Sequence, residues 1–108
     1  MRIEKESIWR KDLQQTVGWR FNKYKENAKR KNIVFSLSKE EFIIFWQKSC
    51  YYCNDEIKTI GLDRVSNIKG YGIENVVPCC HICNGMKEEM TQFEFLSQCK
   101  KIINNNKL

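Results

Sequence analysis

Two cysteine pairs constrain this chain more than any other feature. Cys50 and Cys53 are separated by two residues, as are Cys80 and Cys83, and 26 residues lie between the pairs. A chain of 108 residues has room for only a thin hydrophobic core, so a covalent or metal staple carries weight. A CxxC unit bends the backbone so that its two thiolates converge on one point, and two such units complete a tetrahedral four-sulfur site. Soft thiolates with no open position favour zinc in a structural role. Buried free cysteines and a redox dithiol are the other readings, but two matched pairs point to one shared ion. Cys79 stands next to Cys80 and could replace it as ligand, although only Cys80 keeps the spacing to Cys83. Cys99 falls at an apolar helical position and reads as a core residue. A zinc ion saturated by thiolates cannot activate water, so any chemistry must lie elsewhere.

The opening residues Met1-Arg2-Ile3-Glu4 lead into a charged segment rather than an apolar one, and no apolar run approaches the roughly 18 residues of a membrane span. The expectation is a chain without a signal peptide or membrane span, in the cytoplasm or another reducing compartment where CxxC pairs hold metals. The net charge is +6, and its excess sits in one place: residues 1–31 carry ten Lys/Arg against four Asp/Glu, while residues 32–108 carry nine of each. Such a block fits either an arm that meets a polyanion or a solvated helix face.

The spacing predicts a helix over about 7–31, with Trp9, Leu13, Val17, Phe21, Tyr24 and Ala28 on one apolar stripe. Gly18 weakens it locally. Trp19 lies off the stripe and is placed to stack on a base, to meet a partner or to pack under the next segment. Ile33-Val34-Phe35 reads as extended. Ser38 and Glu41 form a capping box, opening a second helix with Phe42, Ile43, Phe45 and Trp46 as its buried face. Residues 57–78 hold Gly61, Gly70, Gly72 and the only proline, Pro78, and read as a two-stranded ribbon with a loop near 67–72. The second knuckle runs into a short helix. Thr91 and Glu94 form another capping box, followed by a helix with Phe95, Leu96, Cys99 and Ile102 or Ile103 inward. The expected division is a basic N-terminal helix or arm over 1–36 and a zinc-bound domain over 37–108.

The stretch Gly61-Leu62-Asp63-Arg64-Val65, followed by Gly70-Tyr71-Gly72 and the run from Asn75 through Cys80-His81-Ile82-Cys83-Asn84 to Lys87, resembles the HNH nucleases. It is most similar to their four-cysteine branch, including the endonuclease VII type and small phage or large-virus HNH proteins. The resemblance covers about Cys50 to Lys87. It implies an α+β fold with a small zinc-stabilised ββα-metal core flanked by helices. It also implies a catalytic Mg²⁺ or Mn²⁺ ion. The metal-binding aspartate of the motif falls on Asp63, its loop-shaping asparagine on Asn75 and its last position on Asn84. Asp63 and Asn84 supply hard oxygen donors suited to such an ion.

The departure is at Arg64, where the family usually carries the histidine that serves as general base. Arginine stays protonated and cannot take a proton, though it can hold phosphate or stabilise developing charge. His81, Tyr71 and Lys69 are the groups near enough in the motif to be considered as substitutes. Each also has a simpler reading, as a loop residue, a packing residue and a phosphate contact.

Three functions follow. The first is a metal-dependent DNA endonuclease that nicks or selects DNA structures, using Asp63, Arg64, Asn75 and Asn84. The second is a catalytically silent module that binds nucleic acid through Arg20, Lys23, Arg64, Lys69 and Lys87. The third is an accessory or interaction protein that meets a protein partner or a second copy through Trp19 and the Tyr51-Tyr52 knuckle.

Overall fold

The computed structural model describes residues 16–107. The first half of the predicted basic helix, with Trp9 and Leu13, lies outside the described residues. The helix enters at Thr16, whose Oγ1 accepts the Trp19 N–H at 3.2 Å. α1 then spans Val17–Arg30, with Lys29 and Arg30 in its last turn, where cations complement the helix dipole. α2 spans Lys39–Ile44, β1 Leu62–Arg64, β2 Val76–Pro78, α3 His81–Lys87 and α4 Gln92–Asn106. Both expected capping boxes are present, Ser38 with Glu41 and Thr91 with Glu94.

β1 and β2 pair antiparallel, with Leu62 opposite Pro78, Asp63 opposite Val77 and Arg64 opposite Val76. Alternation along a strand gives this ribbon two faces. Leu62 and Val76 point into a core with Leu37, Phe42, Phe45 and Ile60. Val17, Phe21 and Tyr24 of α1 pack on that core, so the apolar stripe of the helix is its buried side. Phe42 is 0 % exposed and meets the edges of Phe21 and Tyr24 at centroid distances of 5.3 and 5.7 Å. A second core gathers Cys50, Cys79, Cys83 and Phe95, with Tyr52, Met90 and Cys99 beside them.

Two expectations fail on helix geometry. α2 is short and points Phe42 and Phe45 inward, three residues apart. Ile43 lies about 100° further round and is exposed. In α4 only Phe95 is buried and Cys99 half-buried, whereas Leu96, Ile102 and Ile103 are all exposed. Phe35 makes a single parallel bridge to Tyr71. Gly70 makes this crossing possible: a Cβ there would lie 2.1 Å from the Val34 carbonyl oxygen.

The energetic centre of the first core is Phe42. Phe42→Ala should destabilise the fold by about 3–5 kcal/mol, transfer and cavity contributions together. Ile43→Ala should cost well under 1 kcal/mol by the ordinary tolerance of surface positions. Denaturant melts of the two variants check this, with the difference between them as the readout.

Candidate metal centre and active site

The four CxxC sulfurs lie within 4.8 Å of one another. The Cys53 and Cys80 sulfurs are 3.7 Å apart, against an edge of about 3.8 Å for a tetrahedron with Zn–S bonds near 2.3 Å. Backbone hydrogen bonds fold both knuckles. Asn54 N–H donates to the Cys50 carbonyl at 2.9 Å, and Tyr51 N–H donates to the Pro78 carbonyl at 2.8 Å, which ties the first knuckle to β2. In the second, Cys83 N–H donates to the Cys80 sulfur at 3.4 Å.

Cys80, not Cys79, belongs to the cluster. Cys79 is fully buried with its thiol toward the Cys80 carbonyl at 3.4 Å, and burial pushes it up to about 12. Burial also opposes ionisation of Cys50, but the backbone N–H groups of Cys53, Cys80 and Tyr52 outweigh it and bring that thiol down to about 6. Cys79 thus stays a core group outside the cluster. Burial raises Cys83, and a divalent cation reverses such a shift because coordination deprotonates the thiol. The donor set fits zinc in a structural, closed site.

On the second face of the ribbon, Asp63 is 4 % exposed and Lys87 0 %. Lys87 Nζ donates to Asp63 Oδ1 at 3.1 Å. The Tyr52 hydroxyl donates to Oδ2 at 2.6 Å. Burial and this hydrogen bond raise the Tyr52 pKa, so its proton stays on the phenol. β1, the first knuckle and the last turn of α3 thus meet at one carboxylate. The role of Tyr52 was invisible in the sequence, where its position inside a knuckle suggested surface contact. No spacing rule links residue 52 to residue 63. Lys87, expected at a phosphate, is instead enclosed with Asp63.

Asn84 sits at the middle of α3 and donates through Nδ2 to the Leu62 carbonyl at 3.2 Å. This leaves its Oδ1 as the hard oxygen beside the β1 backbone. Asn84 lines an open cavity with Arg20, Tyr24, Glu56, Lys58 and His81. Asp63 does not line it. Each carboxylate oxygen has a second lone-pair site, so Asp63 keeps acceptor capacity beyond Tyr52 and Lys87.

Asn75 and Arg64 build the loop between the strands. Asn75 Oδ1 accepts Ser66 N–H at 2.9 Å, and its Nδ2 donates to the carbonyls of Ser66 and Gly70 at 3.0 and 2.9 Å. Arg64 Nη1 donates to the Asn67 and Lys69 carbonyls, both at 3.1 Å, and the guanidinium stacks on Tyr71 at 5.5 Å. Tyr71 is a packing residue, touching Tyr24 and Phe35 edge-on or tilted. Lys69 is exposed on the loop. Trp19 is half-buried outside both cores, with Arg20 and Lys23 each 5.5 Å from its ring centre.

The two-stranded ribbon and the helix that follows it match the fold of an HNH endonuclease. The structure aligns with the rare-cutting HNH restriction endonuclease PacI, an enzyme that perturbs its DNA. The TM-score is 0.67 over 83 % of this chain and 78 % of that one, at 20 % sequence identity. In sequence, the chain is 36 % identical over 87 residues to an uncharacterised protein of Acanthamoeba polyphaga mimivirus. That match takes in 79 % of this chain but spans only 16 % of the viral protein's length. No family model matches the chain. Among the described residues, no helix is long and apolar enough to cross a membrane.

Metal analysis should find one zinc per chain, retained in Cys79→Ala and lost in Cys83→Ser. Structural zinc contributes on the order of 10 kcal/mol or more, as much as the whole net stability of an ordinary small domain. Exhaustive chelation should therefore abolish the cooperative thermal transition. The buried pair makes a second expectation. Lys87→Met should cost about 3–5 kcal/mol, since it strands a buried carboxylate, and an added Asp63→Leu should recover much of that loss. Urea melts of the single and double variants check it.

Proposed function

We propose that the chain is a metal-dependent DNA endonuclease of the HNH kind, nicking or structure-selective, with Arg64 in place of the usual histidine base. The observation that carries this reading is the docking of Asn84 on the Leu62 carbonyl, one residue from Asp63, within an HNH fold. Two hard oxygen donors thereby flank one point of β1, and the cysteine cluster holds the ribbon and α3 in register there. The reading also places the chain in the four-cysteine HNH branch and gives it DNA as its substrate.

A Mg²⁺ or Mn²⁺ ion held by Asp63 and the Asn84 carboxamide would polarise the scissile phosphate and stabilise the leaving oxygen. Asp63 would keep its hydrogen bonds from Tyr52 and Lys87 and offer the ion a second lone-pair site. Asn75 fixes the loop, and Arg64, held by two carbonyls and Tyr71, keeps its remaining N–H donors for phosphate or developing charge. Arg64 accepts no proton. His81, one turn before Asn84 and lining the same cavity, would take the proton. Lys69 is free on the loop for a phosphate contact.

A second reading, a catalytically silent module that binds nucleic acid, is favoured by one specific observation. Both oxygens of Asp63 are engaged in a buried pair, an arrangement stable without any catalytic ion.

Supercoiled plasmid and a branched DNA, each with Mg²⁺, Mn²⁺ or EDTA, separate the two. The nuclease reading predicts metal-dependent nicking that falls at least 100-fold in Asp63→Asn, on the scale of losing a positioned catalytic group, with zinc content unchanged. Arg64→His should raise cleavage. A folded, zinc-loaded protein that cuts neither substrate would leave the binding module as the function.

A further inference from the structure

We propose that α1 forms a track for one phosphodiester backbone, with Arg20 as its phosphate clamp, leading along the helix into the cavity at Asn84. The inference deepens the nucleic-acid reading above and rests on it.

Two adjoining grooves run beside α1. The first is the cavity that Asn84 and His81 line. The second is lined by Lys23, Asn27, Lys31 and Tyr71. Arg20 and Tyr24 line both and join them. Charge distinguishes the two grooves. Among the described residues, no carboxylate lines the second groove, which carries Arg20, Lys23 and Lys31. The first carries Glu56 against Arg20 and Lys58. A polyanion is therefore held most strongly along the second groove and delivered into the first.

At the junction, Arg20 Nε is buried without a hydrogen-bond partner among the described residues. An unsatisfied buried donor costs about 1–3 kcal/mol. Arg20 lines both grooves, so a phosphate in either meets its guanidinium in a charge-assisted contact. Trp19 lies 5.5 Å under the guanidinium carbon and restricts its position. Tyr24 supplies a second donor. Its hydroxyl accepts Leu62 N–H at 3.1 Å, and burial raises it to about 12, so it keeps a proton to offer an anion. The same bond links the junction to β1, one residue from Asp63. Arg20 and Lys23 are i and i+3 on the helix, and both flank Trp19, so the cations form one continuous edge.

The test is binding of a short fluorescent DNA duplex by the zinc-loaded full chain in EDTA-free, Mg²⁺-free buffer, followed by anisotropy across a salt series. Arg20→Ala should weaken binding about tenfold and flatten the slope of log K against log salt by about one, the loss of one phosphate contact. Arg20→Lys should restore only part, because lysine lacks the fork. Lys23→Ala with Lys31→Ala should also weaken binding and flatten the slope. Lys29→Ala removes the same charge from the same helix but outside both grooves, where Lys29 lies with Lys25 and Glu26; it should change affinity no more than about twofold. Equal effects of Arg20→Ala and Lys29→Ala would overturn the track and leave only diffuse attraction. Should Arg20→Ala lose its zinc or its thermal transition, the Lys23/Lys31 double variant decides: full affinity there rejects the track. A wild-type chain with no salt-dependent DNA affinity would overturn the nucleic-acid reading itself.

Discussion

The convergence of four cysteine sulfurs is the constraint on which the rest of the structure depends. The knuckles lie on either side of the ribbon in sequence, so bringing them together fixes the start of α3 against the turn that precedes β1. Tyr51 adds a backbone bond to Pro78 at the end of β2. Phe95 then packs on the cysteines and anchors the first turns of α4. The strands are only three residues each, too short to be stable as a free hairpin. An ion in the cluster supplies what so short a ribbon lacks, because its binding energy is released only when both knuckles are folded.

The ribbon separates two environments. Its first face joins an aromatic core in which α1 and α2 meet through Phe21, Tyr24 and Phe42. Its second face carries Asp63, enclosed with Lys87 and Tyr52. Burying two charges is costly, and their attraction offsets that cost only with close geometry and satisfied hydrogen bonds. The 3.1 Å ion pair and the 2.6 Å phenol bond meet that condition. The carboxylate is thus held in place by the fold before any ligand arrives. In the proposed enzyme, this pre-set position serves catalysis at the expense of competition from the Lys87 cation.

α1 serves both sides of the molecule. Its apolar residues complete the aromatic core, while Arg20 and Lys23 occupy the adjoining edge. Tyr24 belongs to both, with a ring in the core and a hydroxyl on the β1 backbone. The charged edge therefore stands at a fixed distance from the ribbon rather than on a free arm, and the proposed backbone track depends on that rigidity.

Much of this was legible in the residues themselves. The paired CxxC spacings name the metal cluster because two-residue spacing is a local property of the backbone. The capping boxes at Ser38 and Thr91 and the stripe from Val17 to Ala28 are equally local, and each appears in the fold. The motif from Gly61 to Lys87 placed the ribbon and the following helix. Positions that depend on distant neighbours were not legible. Ile43, Leu96, Ile102 and Ile103 have helical apolar spacing, but burial needs an element to cover them. Lys87 is a cation like any other in sequence, and only the fold encloses it with Asp63. Tyr52 finds Asp63 across 11 positions because the cysteine cluster folds its knuckle onto β1, and Arg20 meets the cavity of Asn84 because α1 packs beside the ribbon. The sequence by itself determined the cluster, the helices and the ribbon, through short-range spacing and backbone preference. The tertiary structure alone decided which charges are buried, which apolar residues stay exposed and which groups share a cavity, since those depend on what long-range packing brings alongside.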